Sequence, residues 1–455
     1  MEYEEYMRSL TEQIHCRRAA GLVEEEIRNH IEEQARSYEA EGMEPSAALA
    51  EAVRQMGNPV ETGAELNRIH RPAMPWKLLF LALFLMLSAL AMQAVIFYHL
   101  YIRNNGGEWS YLPESIFQNL LGFSIMIGLL FLDYNFIARH AYLLYVLWVL
   151  SMIPQSLLLY RVESNALRGQ LCYGIWMLYP VIFAGILYRN RNRGVRGILT
   201  AVGLCAAAAG GCVILQRFSV QGSVSYAAVA ETGLIVSGMM LLAVRKGIFG
   251  KEKRKYAAVL AVLSATAVIV AAAALVYGGM GVYYMERIRN FSGMTDTAEH
   301  SYLTLQIREA IAECTLTGTG DFAGGQVWEE TYRTLLLNSI FTYCGVLAGS
   351  AVLLAFLAFV VLALRTAFRQ RNRLGFLIGT ACSLGIFVRV AAYTGMNFGY
   401  NLWWTTMAPF FCYGMTGAVY NGILTGLLMC VYRNSTILAE EKNVDRKLWK
   451  RTYPS

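Results

Sequence analysis

The chain has 455 residues, of which 56% are hydrophobic and 16% are charged, and its mean hydropathy is +0.39. A soluble enzyme of this length has fewer apolar and more charged residues, so most of the apolar surface is expected to face lipid. The formal net charge is +7, but many Lys and Arg residues lie in short loops beside apolar segments. That placement indicates membrane orientation and argues against a nucleic-acid surface.

The first 72 residues form a predicted unit of their own, with apolar residues at helical spacing and Glu or Arg between them. Gly42 ends one predicted helix, Pro45 begins the next, and Gly57-Asn58-Pro59 ends that one. We predict a cytoplasmic domain of three or four short helices without catalytic residues. The N-terminus is acidic and amphipathic, which is not typical of a signal peptide, so it is expected to stay in the cytoplasm.

Most of this unit, from Glu26 to Pro72, resembles the HAAS-type, or permease-prefix, domain. The resemblance implies a cytoplasmic module that precedes membrane segments in Gram-positive bacteria. An amphipathic bundle that docks on a partner is the alternative. His15, Cys16 and His30 do not form a predicted ligand set, and the nine cysteines lack the paired spacing of a zinc site, so no metal site is predicted.

Ten apolar segments follow, each close to the ~20 residues that cross a bilayer. The predicted spans are 76–101, 115–137, 141–161, 171–188, 197–215, 225–246, 256–285, 336–365, 375–396 and 405–432. Loops after the even-numbered spans are basic, so these loops and both termini are expected to be cytoplasmic. The prediction is an all-α polytopic membrane protein, with a prefix at 1–72, a ten-helix body at 73–434 and a tail at 435–455.

The longest predicted outer loop, 286–335, has mixed charges and a helix-forming middle, and function is expected to concentrate there. Its run Tyr302-Leu-Thr-Leu-Gln306-Ile-Arg-Glu-Ala310-Ile311, followed by Gly318-Thr-Gly320, is similar in spacing to the outer loop of the SEDS family, which includes FtsW, RodA and SpoVE. That family has Tyr-Gln-x-x-Gln-Ser-x-x-Ala-Ile and then Gly-x-Gly.

A second run, Pro409-Phe-Phe-Cys-Tyr413-Gly414, with Asn421, Gly426 and Arg433 behind it, resembles the last helix of the same family. The family signature there is Pro-Phe-x-Ser-Tyr-Gly-Gly-Ser-Ser, from which this chain departs at several positions. The resemblance covers about residues 76–434. It implies that substrate is bound by residues of both runs: Tyr302, Gln306, Gly318, Gly320, Pro409, Tyr413, Gly414 and Asn421.

SEDS proteins are peptidoglycan glycosyltransferases that polymerise lipid II, an undecaprenyl-linked precursor, beside a class B penicillin-binding protein. The resemblance implies the same partners, together with membrane lipid. The chemistry needs a carboxylate as base or as ligand of a divalent cation, the one cofactor implied for an active site. Alignment on Ile340-Phe341 places Asn338 at the family's catalytic Asp position, and an amide cannot accept that proton. Asp321, Glu329 and Glu330 are the nearby carboxylates that could substitute.

Two charged residues fall inside predicted spans, Glu231 in the sixth and Arg389 in the ninth. A lone charge at the bilayer centre costs about 2.5–3.5 kcal/mol on insertion scales, so each is expected to have a partner. One hypothesis is that both face a polar cavity where Arg389 binds the pyrophosphate of a lipid-linked sugar. The alternative is that they satisfy each other or reach the interface.

Three functions follow for a multi-pass protein of the bacterial cytoplasmic membrane. The first is an active lipid II polymerase serving cell division, cell shape or sporulation. The second is a catalytically degenerate regulator or scaffold of the cell-wall machinery, with the prefix domain responding to a cytoplasmic signal. The third is a transporter of a lipid-linked precursor, for which the sequence has no repeated half. Asn338 favours the second.

Overall fold

The computed structural model describes residues 2–15, 17–69, 72–103, 111–157, 174–218, 226–277, 301–320, 335–400, 408–411 and 414–435. The chain divides into two compact units, Met1–Met74 with Tyr432–Ser455, and Pro75–Val431. Both units are helical. Across the described ranges, an isolated bridge between Ala408 and Phe411 is the single β-type pairing.

Residues 2–69 of the N-terminal unit, as far as they are described, form four helices: α1 (Tyr3–Glu12), α2 (Arg17–Ala40), α3 (Pro45–Gln55) and α4 (Pro59–Ile69). The breaks fall where turn chemistry predicts them. Gly42 and Gly57 adopt φ values of 97° and 79°, which L side chains rarely adopt, and a proline begins each of the next two helices. The apolar stripes of the helices meet in one core: Tyr6, Met7, Leu10, Ile14, Val23, Ile31, Ala35, Ala52 and Val53.

Hydrogen bonds between distant residues hold this bundle together. The Tyr6 hydroxyl donates to the carbonyl of Met56 at 3.3 Å, and the backbone amide of His15 donates to Asn67 Oδ1 at 3.2 Å. The His15 ring contacts Asn67 Nδ2 at 3.0 Å. His15 is thus a packing contact, and the described part of the chain holds no group of three His, Cys, Asp or Glu arranged for a metal.

The second unit is a bundle of apolar helices. They are α5 (Trp76–Arg103), α6 (Tyr111–Leu130), α7 (Asn135–Arg139), α8 (Ala141–Leu157), α9 (Tyr179–Arg189), α10 (Gly194–Phe218), α11 (Tyr226–Lys246), α12 (Lys253–Tyr277), α13 (Ser301–Ala312), α14 (Leu336–Cys344), α15 (Val346–Phe368), α16 (Arg373–Asn397) and α17 (Met415–Arg433).

Seven of these helices are long and apolar enough to cross a membrane: α5, α6, α10, α11, α15, α16 and α17. Ala141–Met152 and Gly174–Arg189 are shorter apolar helices. Helix α12, with 25 residues, overlaps most of the predicted seventh span. The fold is therefore all-α and polytopic, as predicted.

The predicted spans and the helices differ in extent at several places. The eighth, 336–365, is broken at Gly345 into α14 and α15; the second ends at Leu130 and is followed by the short α7. The tenth begins at Met415 rather than near 405, because residues 408–411 form a turn. Hydropathy measures transfer to lipid and not backbone continuity, so an apolar turn has the same signal as an apolar helix.

Helix α16 is the centre of this unit. In an apolar 18-residue stretch of this helix 78% of the residues are buried, and the helix packs on α9, α11, α14 and α15. Helix α17 is held on α6 by a stripe of small residues, Ala418, Gly422 and Gly426. A Cβ on Gly426 would lie 2.8 Å from the carbonyl oxygen of Met126, so only glycine permits this close approach.

Candidate functional site

The break between α14 and α15 is closed by main-chain hydrogen bonds from the segment that follows α13. Two amides of the segment donate to carbonyls at the end of α14, and two amides at the start of α15 donate to carbonyls of the segment. The bonds are Gly318 N to Cys344 O (3.3 Å), Gly320 N to Thr342 O (2.9 Å), Val346 N to Thr315 O (3.0 Å) and Leu347 N to Leu316 O (3.2 Å). We call residues 315–320 with 342–347 the loop clasp. It provides hydrogen-bond partners for main-chain carbonyls at the end of α14 and main-chain amides at the start of α15, which helix ends leave unbonded.

The loop clasp contains Gly318 and Gly320, for which substrate binding stays a prediction. Both amides are already bonded to α14. Gly318 has a φ of 88°, and a Cβ on Gly320 would lie 2.8 Å from the carbonyl of Glu313. The glycines are therefore needed for the turn and for close backbone approach.

Asn338 lies in the first turn of the buried helix α14 and is 0% exposed. Its backbone amide donates to Asn397 Oδ1 at 2.9 Å. Its side-chain Nδ2 donates to the carbonyl oxygens of Asn397 at 3.0 Å and of Ile307 at 3.5 Å. The side chain thus joins α13, α14 and α16 as a donor. A carboxylate has no hydrogen to donate, so these bonds suit an amide and oppose the ionised acid expected of a catalytic base.

The neighbouring part of α13 is held on the end of α16. Arg308 donates to the carbonyl of Gly399 at 3.2 Å, and its guanidinium lies 4.8 Å from the ring centre of Tyr400. Gln306, a predicted substrate ligand, is 9% exposed on the same helix. The predicted carboxylates Asp321, Glu329 and Glu330, the residue Tyr413 and the side chain of Tyr302 lie outside the described residues.

Arg389 is buried at 1% exposure and contacts two residues of α17. Its guanidinium carbon lies 3.9 Å from the ring centre of Tyr420, and Nη1 donates to Asn421 Oδ1 at 3.3 Å. A cation stacked on an aromatic face is strongly attracted where water is excluded. The guanidinium predicted to bind pyrophosphate is therefore packed among protein groups in this structure.

Glu231 approaches the same cluster from α11 and is 0% exposed. The Tyr420 hydroxyl lies within electrostatic range of both Glu231 and Arg389. A Cβ on Gly385, one turn before Arg389, would lie 3.6 Å from that hydroxyl and 4.0 Å from Ile235, one turn after Glu231. The two charges predicted to face a polar cavity thus both lie near one buried phenol.

The turn before α17 is tied to this cluster through Asn421. Asn421 Nδ2 donates to the carbonyl of Ala408 at 3.2 Å, and the same carbonyl accepts from the amide of Phe411. Pro409 is buried in the turn, and Phe410 has a φ of 62°, a strained value for a bulky residue. The predicted site residues Pro409 and Asn421 therefore come together, with Arg389 behind them.

Gly414 at the end of this region is bonded to α6. Its amide donates to Gln118 Oε1 at 2.8 Å, and Gln118 also donates to Glu114 at 2.9 Å. Gln118 was not predicted as a site residue, although a glutamine in an apolar span is a usable signal. Tyr420 and Asn397 were not predicted either. For Tyr420 no sequence signal exists, because its contact depends on the rotation of α17 against α16.

The buried charges give a coupling prediction. Arg389→Gln is expected to lower stability by about 3–5 kcal/mol, because a carboxylate then remains in the membrane interior without its countercharge. Adding Glu231→Gln should recover a large part of the loss, and Arg389→Lys should lie between, since a lysine keeps the charge but cannot stack flat on Tyr420. Thermal unfolding in detergent compares the native protein with these three variants and with Glu231→Gln alone. Losses that simply add in the double variant would contradict the coupling.

One face of α16 connects all these contacts. Arg389, Tyr393 and Asn397 recur every four residues and so lie on one side of the helix, over about 12 Å. Arg389 meets α17, Tyr393 accepts the amide of Leu337 at 3.3 Å, and Asn397 meets Asn338. The candidate site is thus a buried polar ladder along α16, bordered by the loop clasp at one end.

Comparison with known proteins gives matches at the level of structure. No protein-family model matches the sequence, and no curated protein matches it. A chain from a structure described as "Structural coordination of polymerization and crosslinking by a peptidoglycan synthase complex" superposes with a TM-score of 0.57 and 16% identity, covering 80% of this chain and 98% of that one.

A second solved structure is an aspartate-to-alanine mutant of the Thermus thermophilus rod shape determining protein RodA. It superposes with a TM-score of 0.50 and 14% identity over 80% of this chain and 98% of the RodA chain. This chain therefore has the all-α polytopic fold of RodA, which confirms the predicted resemblance to the SEDS family at the level of fold.

Proposed function

We propose that this protein is a SEDS-type membrane component of peptidoglycan assembly that acts as a binding or regulatory subunit and not as a lipid II polymerase. The observation that carries the proposal is the bonding of Asn338. At the position aligned with the family's catalytic Asp, the chain has a fully buried amide that donates to two main-chain carbonyls.

The chemistry of polymerisation explains why this observation matters. A sugar 4-hydroxyl must lose a proton as it attacks the anomeric carbon of the lipid-linked donor. An amide cannot take that proton, and the Asn338 amide is occupied in joining three helices. The polar ladder on α16 is in the same way used for packing, since Arg389 and Asn397 both have protein partners.

The proposed partners are those that the resemblance to SEDS proteins implies, a class B penicillin-binding protein and an undecaprenyl-linked precursor. The match to a peptidoglycan synthase complex supports a role in peptidoglycan assembly. In this proposal the body keeps the surfaces for these partners in the bacterial cytoplasmic membrane. The permease-prefix-like N-terminal unit lies on the cytoplasmic side and responds to a signal there.

The test is polymerisation of labelled lipid II by the purified full-length protein with a class B partner, beside an active SEDS and class B pair as positive control. We expect no glycan polymer, together with saturable retention of lipid II. Polymer from the native protein would overturn the proposal. Asp321→Asn, Glu329→Gln and Glu330→Gln would then show which loop carboxylate acts as base, and removal of divalent cations would show whether one is required.

A further inference from the structure

One end of the membrane body carries a dense set of positive charges. Three segments at that end, residues 189–196, 245–255 and 365–373, contain fourteen Lys and Arg residues and one acidic residue, Glu252. Glu252 is paired with Lys255 at 3.2 Å. The three segments, called here the basic face, therefore keep a large net positive charge.

The basic face is built as a unit by bonds between its segments. The amide of Asn192 donates to the carbonyl of Ile248 at 2.9 Å, and the amide of Gly194 donates to that of Phe249 at 3.0 Å. Arg373 Nη1 donates to Asn192 Oδ1 at 3.1 Å. Ile248 and Phe249 are fully buried beneath the two turns. The cations are thus presented by a defined surface.

Aromatic side chains hold several of the cations at the level where the helices end. Arg189 lies over Tyr142 at 5.4 Å, Arg191 over Tyr188 at 4.0 Å and Lys246 over Phe376 at 5.0 Å, each measured to the ring centre. Aromatic and basic side chains at helix ends lie in the headgroup layer of a bilayer. Phosphate groups of lipids lie at this same depth.

Apolar surface continues directly from the basic face into the membrane. Leu199 on α10 is 50% exposed, and Leu241 on α11 is 43% exposed. A ligand that matches both features has a phosphate beside acyl chains. Free phosphate would contact only the basic face and not the apolar surface.

We propose that the basic face binds anionic phospholipids, with guanidinium and ammonium groups on the headgroup phosphate and the exposed leucines on the acyl chains. Guanidinium groups suit phosphate oxygens by charge and geometry. Basic residues beside an anionic leaflet contribute about 1 kcal/mol each, which corresponds to about 5-fold in affinity per charge. The proposal is independent of the role in cell-wall assembly and applies equally to a polymerase and to a regulator.

The test is native mass spectrometry of the full-length protein with phosphatidylglycerol and with phosphatidylcholine of the same acyl chains. Phosphatidylglycerol should bind more tightly. The variant R196Q/R245Q/R254Q, at three exposed positions of the face, should lose roughly 100-fold in that affinity, by the ~5-fold effect of each charge. The charge-conserving variant R196K/R245K/R254K should keep most of it.

The matched control is R28Q/R36Q/R54Q, which removes three charges from the N-terminal unit, where each arginine pairs with a glutamate. It should bind phosphatidylglycerol like the native protein. Equal losses in the control and in the face variant would overturn the proposal, as would equal binding of the two lipids. Displacement of phosphatidylglycerol by an equal concentration of glycerol phosphate would instead assign the face to soluble phosphate ligands.

Discussion

Asn338→Asp is expected to destabilise the protein by about 3–5 kcal/mol and to produce no polymerase activity. The aspartate carboxylate would face the carbonyl oxygens of Ile307 and Asn397 at a position that is 0% exposed. An uncompensated buried charge costs about this much, and protonation of the acid would remove the charge but also remove its use as a base. The measurement is the thermal unfolding midpoint in detergent, with lipid II polymerisation assayed on the folded fraction.

Two further variants separate charge from the loss of a hydrogen bond. Asn338→Ala removes the donors but adds no charge, so its cost should be smaller, about 1–3 kcal/mol. Asn192→Asp makes the same substitution as Asn338→Asp at an exposed position whose Oδ1 already accepts from Arg373 at 3.1 Å, and its stability should change by less than about 0.5 kcal/mol. A stable Asn338→Asp protein that polymerises lipid II would contradict this prediction, because it would show that the site accepts a carboxylate and that the native chain is a disabled polymerase with an intact site.

Gly345→Ala is expected to open the loop clasp and to cost roughly 3–5 kcal/mol. Gly345 has φ 89° and ψ 173°, a backbone region that is essentially restricted to glycine and costs about 1–3 kcal/mol for other residues. The added Cβ would lie 2.7 Å from Thr317 Cα and 2.8 Å from the carbonyl oxygen of Leu316. Neither backbone atom can move without breaking clasp bonds, each of which contributes about 1 kcal/mol.

The readouts for Gly345→Ala are thermal unfolding and limited proteolysis within residues 313–320, which should become faster. Gly128→Ala is the matched control, since Gly128 is exposed inside α6 and a Cβ there meets nothing within 4 Å. This control should be neutral or stabilised by up to about 1 kcal/mol, because alanine favours a helix over glycine. If Gly345→Ala unfolds and is cleaved by protease like the native protein, the break between α14 and α15 can form without glycine.

The positions of the membrane helices could be predicted because transfer to lipid depends on composition over about 20 residues. The points at which a helix is interrupted could not be predicted in this way. Gly345 stands in an apolar run where a glycine is ordinary, and its positive φ is imposed by residues 315–320, some thirty residues earlier. The turn at Ala408 to Phe411 is equally apolar, and it depends on an amide of α17 that reaches back to it.

For the candidate site, the sequence likewise predicted important residues but not their partners. A charge at Arg389 requires a partner on energetic grounds, and this requirement was recognised from the sequence. The identity of the partners, Tyr420 and Asn421, depends on how α17 is rotated. Likewise the replacement at Asn338 was visible in the sequence, whereas the two carbonyls that use its amide become adjacent only when α13 and α16 pack on α14.

The four bonds that join the two sides of the loop clasp are between main-chain amides and carbonyls, and this has a consequence for how the sequence can vary over time. Most side chains of residues 315–320 and 342–347 can be exchanged without loss of a clasp bond, provided that glycine is kept where a Cβ would collide, as at Gly320 and Gly345. Such a segment can keep its geometry while its residue identities change. Relatives of this protein are therefore better recognised in this region by the spacing of glycines than by similarity of the residues between them.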